Sequence, residues 1–99
     1  MIFYIAGRIK DDPDYEEKFN KAEEMLKGCG HIVLNPARLP QGMSRFQYLP
    51  ICFAMIDQAD ALWMLKGWED SLGADNERRY ALYQGKDVFY EDVEEGIKN

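Results

Sequence analysis

The segment Ser71-Leu72-Gly73-Ala74-Asp75-Asn76-Glu77 joins an apolar run, ALWML, to a run with helical spacing, RRYALYQG. A carboxylate at Glu77 has two readings. It is a charge placed where the positive end of a helix dipole favours it, by about 0.3–1 kcal/mol in any protein. Alternatively it is a nucleophile or proton carrier at the mouth of a site. Other residue types invite chemistry too. Gly7-Arg8-Ile9-Lys10 puts two cations beside a glycine that lets a ligand approach the backbone, a pattern that suits a small anion. Arg8 and Lys10 also read as ordinary solvated charges. Trp68, in a polar stretch, could stack on a base or cover the edge of the core, whereas Trp63 reads as core. Cys29-Gly30-His31 offers one thiol and the chain's single histidine, too few donors for a closed metal site. No metal and no cofactor are expected.

The elements that would position these residues follow from hydrophobic spacing. Residues 2–6, IFYIA, form a short apolar run ending in Gly7, the pattern of a strand buried on both faces. Residues 14–28 place Tyr15, Phe19, Ala22, Met25 and Leu26 at three- and four-residue steps, an amphipathic helix. Asp12-Pro13 would cap it, and Gly28 or Gly30 would stop it. HIVLNP reads as a second strand and ARLPQGM as loop. Ser44 with Gln47 resembles a capping box, and Pro50 predicts either a turn before it or a helix restarting with Pro50 in its first turn. The run PICFAMIDQA is apolar almost all round, so it needs cover on two sides, the second from another subunit. ALWMLK is a third strand, GWEDSLG a loop, ADNERRYALYQG a helix, DVFYE a fourth strand, and the tail from Glu91 an acidic turn or frayed helix.

Strands of continuous apolar character alternating with helices mean a parallel sheet covered on both faces. The fold class is α/β, a small flavodoxin-like (Rossmann-like) three-layer domain with a four-stranded parallel sheet, spanning 1–99 as one domain. In such a sheet ligands bind beyond the carboxyl ends of the strands, where the strand order reverses. The loops after Gly7, after Asn35-Pro36 and from Lys66 to Gly73 should meet there.

The charge balance narrows the partners. Twelve basic residues are scattered among eighteen acidic ones for a net charge of −6, without the positive face that a nucleic acid requires. No stretch approaches the ~20 apolar residues of a membrane span. The start MIFYIAGR lacks the basic region and apolar core of a signal peptide, and two cysteines make no disulfide framework. The expected location is the cytoplasm.

Taken in order, YIAGRI, the pair Ala59-Asp60 before an apolar strand, SLG with Glu77 four residues after its glycine, Tyr80-Ala81 and QGK resemble the nucleoside 2-deoxyribosyltransferase superfamily. The similarity covers most of the chain and is nearest to a short branch with the pattern WEDS-x-GA-x-x-E. The resemblance implies an N-glycosyl-bond enzyme in which Glu77 attacks the anomeric carbon and forms a glycosyl-enzyme, which a second base or water resolves. It further implies that Ser71, with Gly7, Arg8 and Lys10, meets the sugar's 5′ end, and that a hydroxyl at Ser71 accommodates a 5′-phosphate that an aspartate would repel. Tyr4 or Trp68 would line the base and sugar, and Asp60 and Gly73 belong to the same motif positions. The helix dipole would keep Glu77 ionised.

Three positions depart from that pattern. The family's leaving-group acid falls at Cys52, a glycine two residues after the Glu is Arg79, and the position after Gly73 is Ala74. Asp57 and Asp70 are then the candidate acids. The expected ligand is a nucleoside or nucleotide, and the expected assembly a homo-oligomer. A non-catalytic nucleotide-binding or sensing module on the same fold, and a purely structural oligomerising protein, are the competing readings.

Overall fold

In a computed structural model that describes residues 1–93, the element order is β1 (Ile2–Ala6), α1 (Tyr15–Gly28), β2 (Ile32–Leu34), α2 (Arg45–Gln58), β3 (Ala61–Met64), α3 (Leu72–Tyr83) and β4 (Asp87–Tyr90). The four strands form one sheet in the order β2-β1-β3-β4, all parallel. The uninterrupted apolar runs predicted as buried strands, β1 and β3, are the two central ones. Phe3 to Ala6 and the whole of β3 are buried, whereas β2 and β4, at the edges, are only half covered.

Alternation of side chains divides the core in two. Phe3, Ile5, Ala61, Trp63 and Leu65 face Phe19, Ala22 and Leu26 of α1. Tyr4, Ala6, Leu62 and Met64 face Cys52 and Ile56 of α2 and Ala74 and Ala81 of α3. The result is the three-layer, flavodoxin-like α/β arrangement, with α1 on one face and α2 and α3 on the other. No helix among the described residues is long and apolar enough to cross a membrane.

Several local expectations shift. Asp14, not Asp12, stands at the N-cap of α1; Asp12 accepts from Asp14 N at 2.9 Å and pairs with Lys18 at 2.8 Å. Pro50 neither precedes nor restarts a helix: α2 runs through it, and Gln47 Oε1 accepts from Ser44 N at 2.8 Å at its start. Pro50 sits one and a half turns in, so a single backbone hydrogen bond, to the Phe46 carbonyl, is forgone on an exposed face. The second strand is shorter than HIVLNP, because Pro36–Arg38 turn into a 3-10 turn capped by Asn35, whose Oδ1 accepts from Ala37 N at 2.9 Å. The predicted tail lies, from residue 94, outside the described residues.

A buried glutamate paired with exposed cations anchors that turn to α1. Glu23, 3% exposed, accepts from Arg38 Nε and from a terminal Arg38 nitrogen, both at 2.8 Å, from Lys27 at 2.8 Å and from Asn35 Nδ2 at 3.0 Å. Arg38's hydrogen bonds, helped by those from Lys27 and Asn35, outweigh burial and hold the Glu23 carboxyl down at about 2. A depressed carboxyl contributes stability that is complete above the unfolded value of about 4.5 and is lost as pH falls toward 2. Urea unfolding should therefore show Glu23→Ala destabilised by about 1.5–3 kcal/mol at pH 7, since the variant loses the charge-assisted bonds from Arg38 and leaves the buried Asn35 amide one partner short. The difference should shrink as pH is lowered below 4, and Lys27→Ala, removing an exposed partner, should cost under about 1 kcal/mol.

Candidate functional site

At the carboxyl ends of β1 and β3, the chain leaves the sheet toward opposite faces, and a cavity of about 780 Å³ opens there. Its lining joins the loop Gly7–Asp11, the turn Pro36–Ala37, the segment from Leu39 to Met43, the inner face of α2 and the start of α3. Gly7 is required where β1 ends. A Cβ there would lie 2.9 Å from both Cβ and Cδ1 of Leu65, so the first loop turns into the cavity only because position 7 has no side chain.

Glu77 stands among the lining residues, and its setting differs from a helix-start charge. Helix α3 begins at Leu72, two residues before the predicted start, with Ser71 as N-cap accepting from Ala74 N at 3.2 Å. Glu77 therefore sits in the second turn, beyond the reach of the dipole's strongest field. There the Tyr4 hydroxyl donates to Glu77 Oε2 at 2.7 Å, with the Cys52 thiol alongside. Burial dominates: it pushes the Glu77 carboxyl up to about 7, against the opposing pull of hydrogen bonds from Tyr4 and Cys52. The expectation of a dipole-ionised carboxylate is thus corrected to one poised between its two forms at neutrality. Burial, then the neighbouring Glu77 charge, raises Tyr4 well above the usual tyrosine range, and burial likewise raises Cys52. Tyr4 stays a phenol and a donor.

Of the residues singled out in the sequence, Gly7, Arg8, Lys10, Asp70, Ser71, Gly73 and Glu77 line the cavity together. Arg8 is steadied by its own loop, Nε donating to Lys10 O at 3.1 Å. Ser71 uses its oxygen lone pair as the cap and keeps its hydroxyl proton to donate. Tyr4 does not line the cavity: wholly buried beneath it, it reaches the site only through Glu77.

Three residues lie elsewhere. Asp57, at the far end of α2, accepts from the Tyr80 hydroxyl at 2.6 Å and Gln84 at 2.9 Å, bonds that lower its pKa and tie α2 to α3. Asp60 precedes β3, at the amino edge of the sheet, where it accepts from Ile2 N at 2.7 Å. Trp68 turns away from the cavity onto Tyr90 and beneath the Arg78 guanidinium, 4.8 Å from its ring centre.

The sequence reading missed the second wall. The segment after β2, read as plain loop, carries Leu39, Gln41 and Met43 into the cavity and is fastened there by side chains. Gln41 Nε2 donates to the Tyr15 hydroxyl at 3.0 Å and to Glu16 at 2.6 Å, and the Tyr48 hydroxyl donates to Pro40 O while accepting from Met43 N at 3.2 Å. Arg45, Tyr48, Leu49 and Cys52 extend this wall along α2. Their steps of three and four residues place them on one face of the helix.

The chain is thus a flavodoxin-like α/β domain whose switch-point cavity has a poised carboxyl at its floor and cations at its rim. It belongs to the DUF4406 family, described as a domain of unknown function, whose model matches residues 1–90. A comparison with curated proteins finds no match.

The raised Glu77 has a thermodynamic signature. Its folded value of about 7 exceeds the unfolded 4.5, so the protein is not penalised below pH 4.5, loses stability as pH rises from there, and bears the full cost above 7. Glu77→Gln should match the wild type in denaturant melts at pH 4. Above pH 8 it should be more stable by about 3 kcal/mol.

Proposed function

We propose that the protein acts on the N-glycosidic bond of a nucleotide, with Glu77 as nucleophile. One observation carries the reading: a single carboxylate at the floor of a ligand-sized cavity, with one oxygen held by a buried phenol. Glu77 Oε1 attacks the anomeric carbon, the bond to the base breaks, and the base departs with the electron pair. The glycosyl ester is then hydrolysed by water or passed to a second base, the two-step course of retaining glycosidases. Tyr4 acts as a positioning residue, fixing the rotamer of Glu77 and easing ester formation and release. The Ser71 hydroxyl with Arg8 and Lys10 binds a 5′-phosphate, the charge type that two exposed cations beside a glycine turn favour. Asp70, on the rim, is the proton donor to the departing base in this reading, because the Cys52 thiol is too weak an acid. This agrees with the resemblance to nucleoside 2-deoxyribosyltransferases and nucleotide N-glycosidases in the motif around Glu77.

The thiol in place of an acid beside Glu77 favours one second reading, a module that binds nucleotides without cleaving them. Chromatography of the products from a panel of nucleoside and deoxynucleoside 5′-monophosphates separates the two. The enzyme should release free base, with kcat/KM tracing a bell whose acidic limb is the ionisation of Glu77 and whose alkaline limb is loss of the proton given to the departing base, and Glu77→Ala should lose at least about 10³-fold. Thermal stabilisation by a nucleotide without base release would support the binding module, and neither effect at millimolar nucleotide would remove both.

We further propose that the chain works as a homo-oligomer through the outer face of α2, where Phe46 is 79% and Ile51 38% exposed. The helix carries few polar residues round its circumference, so its outer side calls for cover from a second copy. Sedimentation velocity should show a dimer or larger species that Phe46→Asp shifts to monomer. A wild-type monomer at tens of micromolar would end that proposal.

A further inference from the structure

Arg45 stands where a helix least favours it. It is the first residue of α2, a fourteen-residue helix with no acidic residue in its first turn, so its charge adds to the positive end of the dipole. Among the described residues no acidic side chain pairs with it. Ion pairs among the described residues engage Lys18, Lys27, Arg38, Arg78 and Arg79, but not Arg45. Arg45 nevertheless is one of the residues that line the cavity.

The rest of the α2 wall indicates what the charge is for. Cys52, Leu49, Tyr48 and Arg45 follow one another from floor to mouth, passing from buried through half-buried to exposed. Seven residues of helix carry Arg45 about 10 Å from the level of Cys52. A thiol, a leucine and a tyrosine make an apolar and aromatic surface fit for a flat heterocycle. The rim formed by the loop after β1 and the start of α3, with Arg8, Lys10 and Ser71, offers the hydrogen-bond donors that a phosphate needs. A nucleotide laid with its phosphate on that rim and its heterocycle along α2 would direct the outer edge of its ring toward Arg45.

We propose that Arg45 is a specificity residue for the heterocycle, and that the preferred ligand is a 5′-nucleotide whose ring carries an anionic substituent, a carboxylate in its simplest form. This rests on the nucleotide reading given above and narrows its substrate class. An Arg guanidinium pairs with a carboxylate through two parallel hydrogen bonds and gains nothing comparable from a carboxamide of the same shape. The unfavourable placement at the helix start is then offset when ligand is bound.

Nicotinic acid mononucleotide and nicotinamide mononucleotide test this directly, being equal in size and differing at the ring substituent in charge. Each is titrated calorimetrically at low ionic strength into the Glu77→Gln protein, which removes turnover from the measurement. The acid should bind at least about tenfold more tightly than the amide. In Arg45→Ala on the same background that preference should vanish through loss of affinity for the acid, the amide staying within about twofold, and Arg45→Lys should restore part of it. The apo variant should melt no lower than its parent, as expected on taking a cation away from a helix N-terminus. Equal binding of the two probes, or an equal loss of both in Arg45→Ala, overturns the assignment of Arg45 and leaves the nucleotide reading standing. Binding of neither by the parent or by wild type overturns both.

Discussion

Everything in this small fold turns on β1 being the only strand paired to neighbours on both sides by the first two crossovers, β2 on one edge and β3 on the other. The chain leaves β1 toward α1 on one face, whereas it leaves β3 toward α3 on the other. The two exits diverge, and the space between them cannot be filled by either loop. A short sheet with one such reversal must have a cleft at that point, and the chemistry collects there because backbone ends and helix starts already face it.

The same topology decides the state of Glu77. Side chains alternate along β1, so Tyr4 points into the layer of α2 and α3, directly under the second turn of α3. One phenolic hydroxyl then serves a carboxyl that has been drawn out of water. Burial and hydrogen bonding pull in opposite directions, and burial wins by enough to leave the group at about 7. Glu23 presents the reverse balance, with Arg38, Lys27 and Asn35 all donating to it and its carboxyl at about 2. Two glutamates on comparable helices thus part by several units because one meets cations and the other a phenol and a thiol. That contrast assigns them separate tasks, one holding the second wall to α1, the other suited to changing its charge.

Much of this was legible from the residues. The continuous apolar runs IFYIA and ALWM identified the central strands, and their alternation with helical stretches specified a parallel sheet, because both faces had to be covered. Gly7, Arg8, Lys10, Ser71 and Gly73 lie on loops brought together by the general rule on where such sheets bind ligands, whereas Glu77 stood out by its place near a helix start and by the motif resemblance. The misses have a common physical origin, since charge and motif position do not reveal burial. Asp57 and Asp60 were acids near the right elements, but one hydrogen-bonds across α2 and α3 and the other secures the amino edge of the sheet. The Leu39–Met43 wall was invisible because its order comes from tertiary hydrogen bonds of Gln41 and Tyr48 rather than local periodicity.

The close approach of Gly7 to Leu65 also limits how this scaffold can diversify. With no room for even a methyl group where β1 leaves the sheet, the floor of the cleft cannot be widened or reshaped by substitution at that point without moving two central strands. The segments around positions 8–11 and 39–45 carry no such restriction. New ligand preferences are therefore accessible through exchange of the rim, while the floor of the cleft remains a fixed module beneath it.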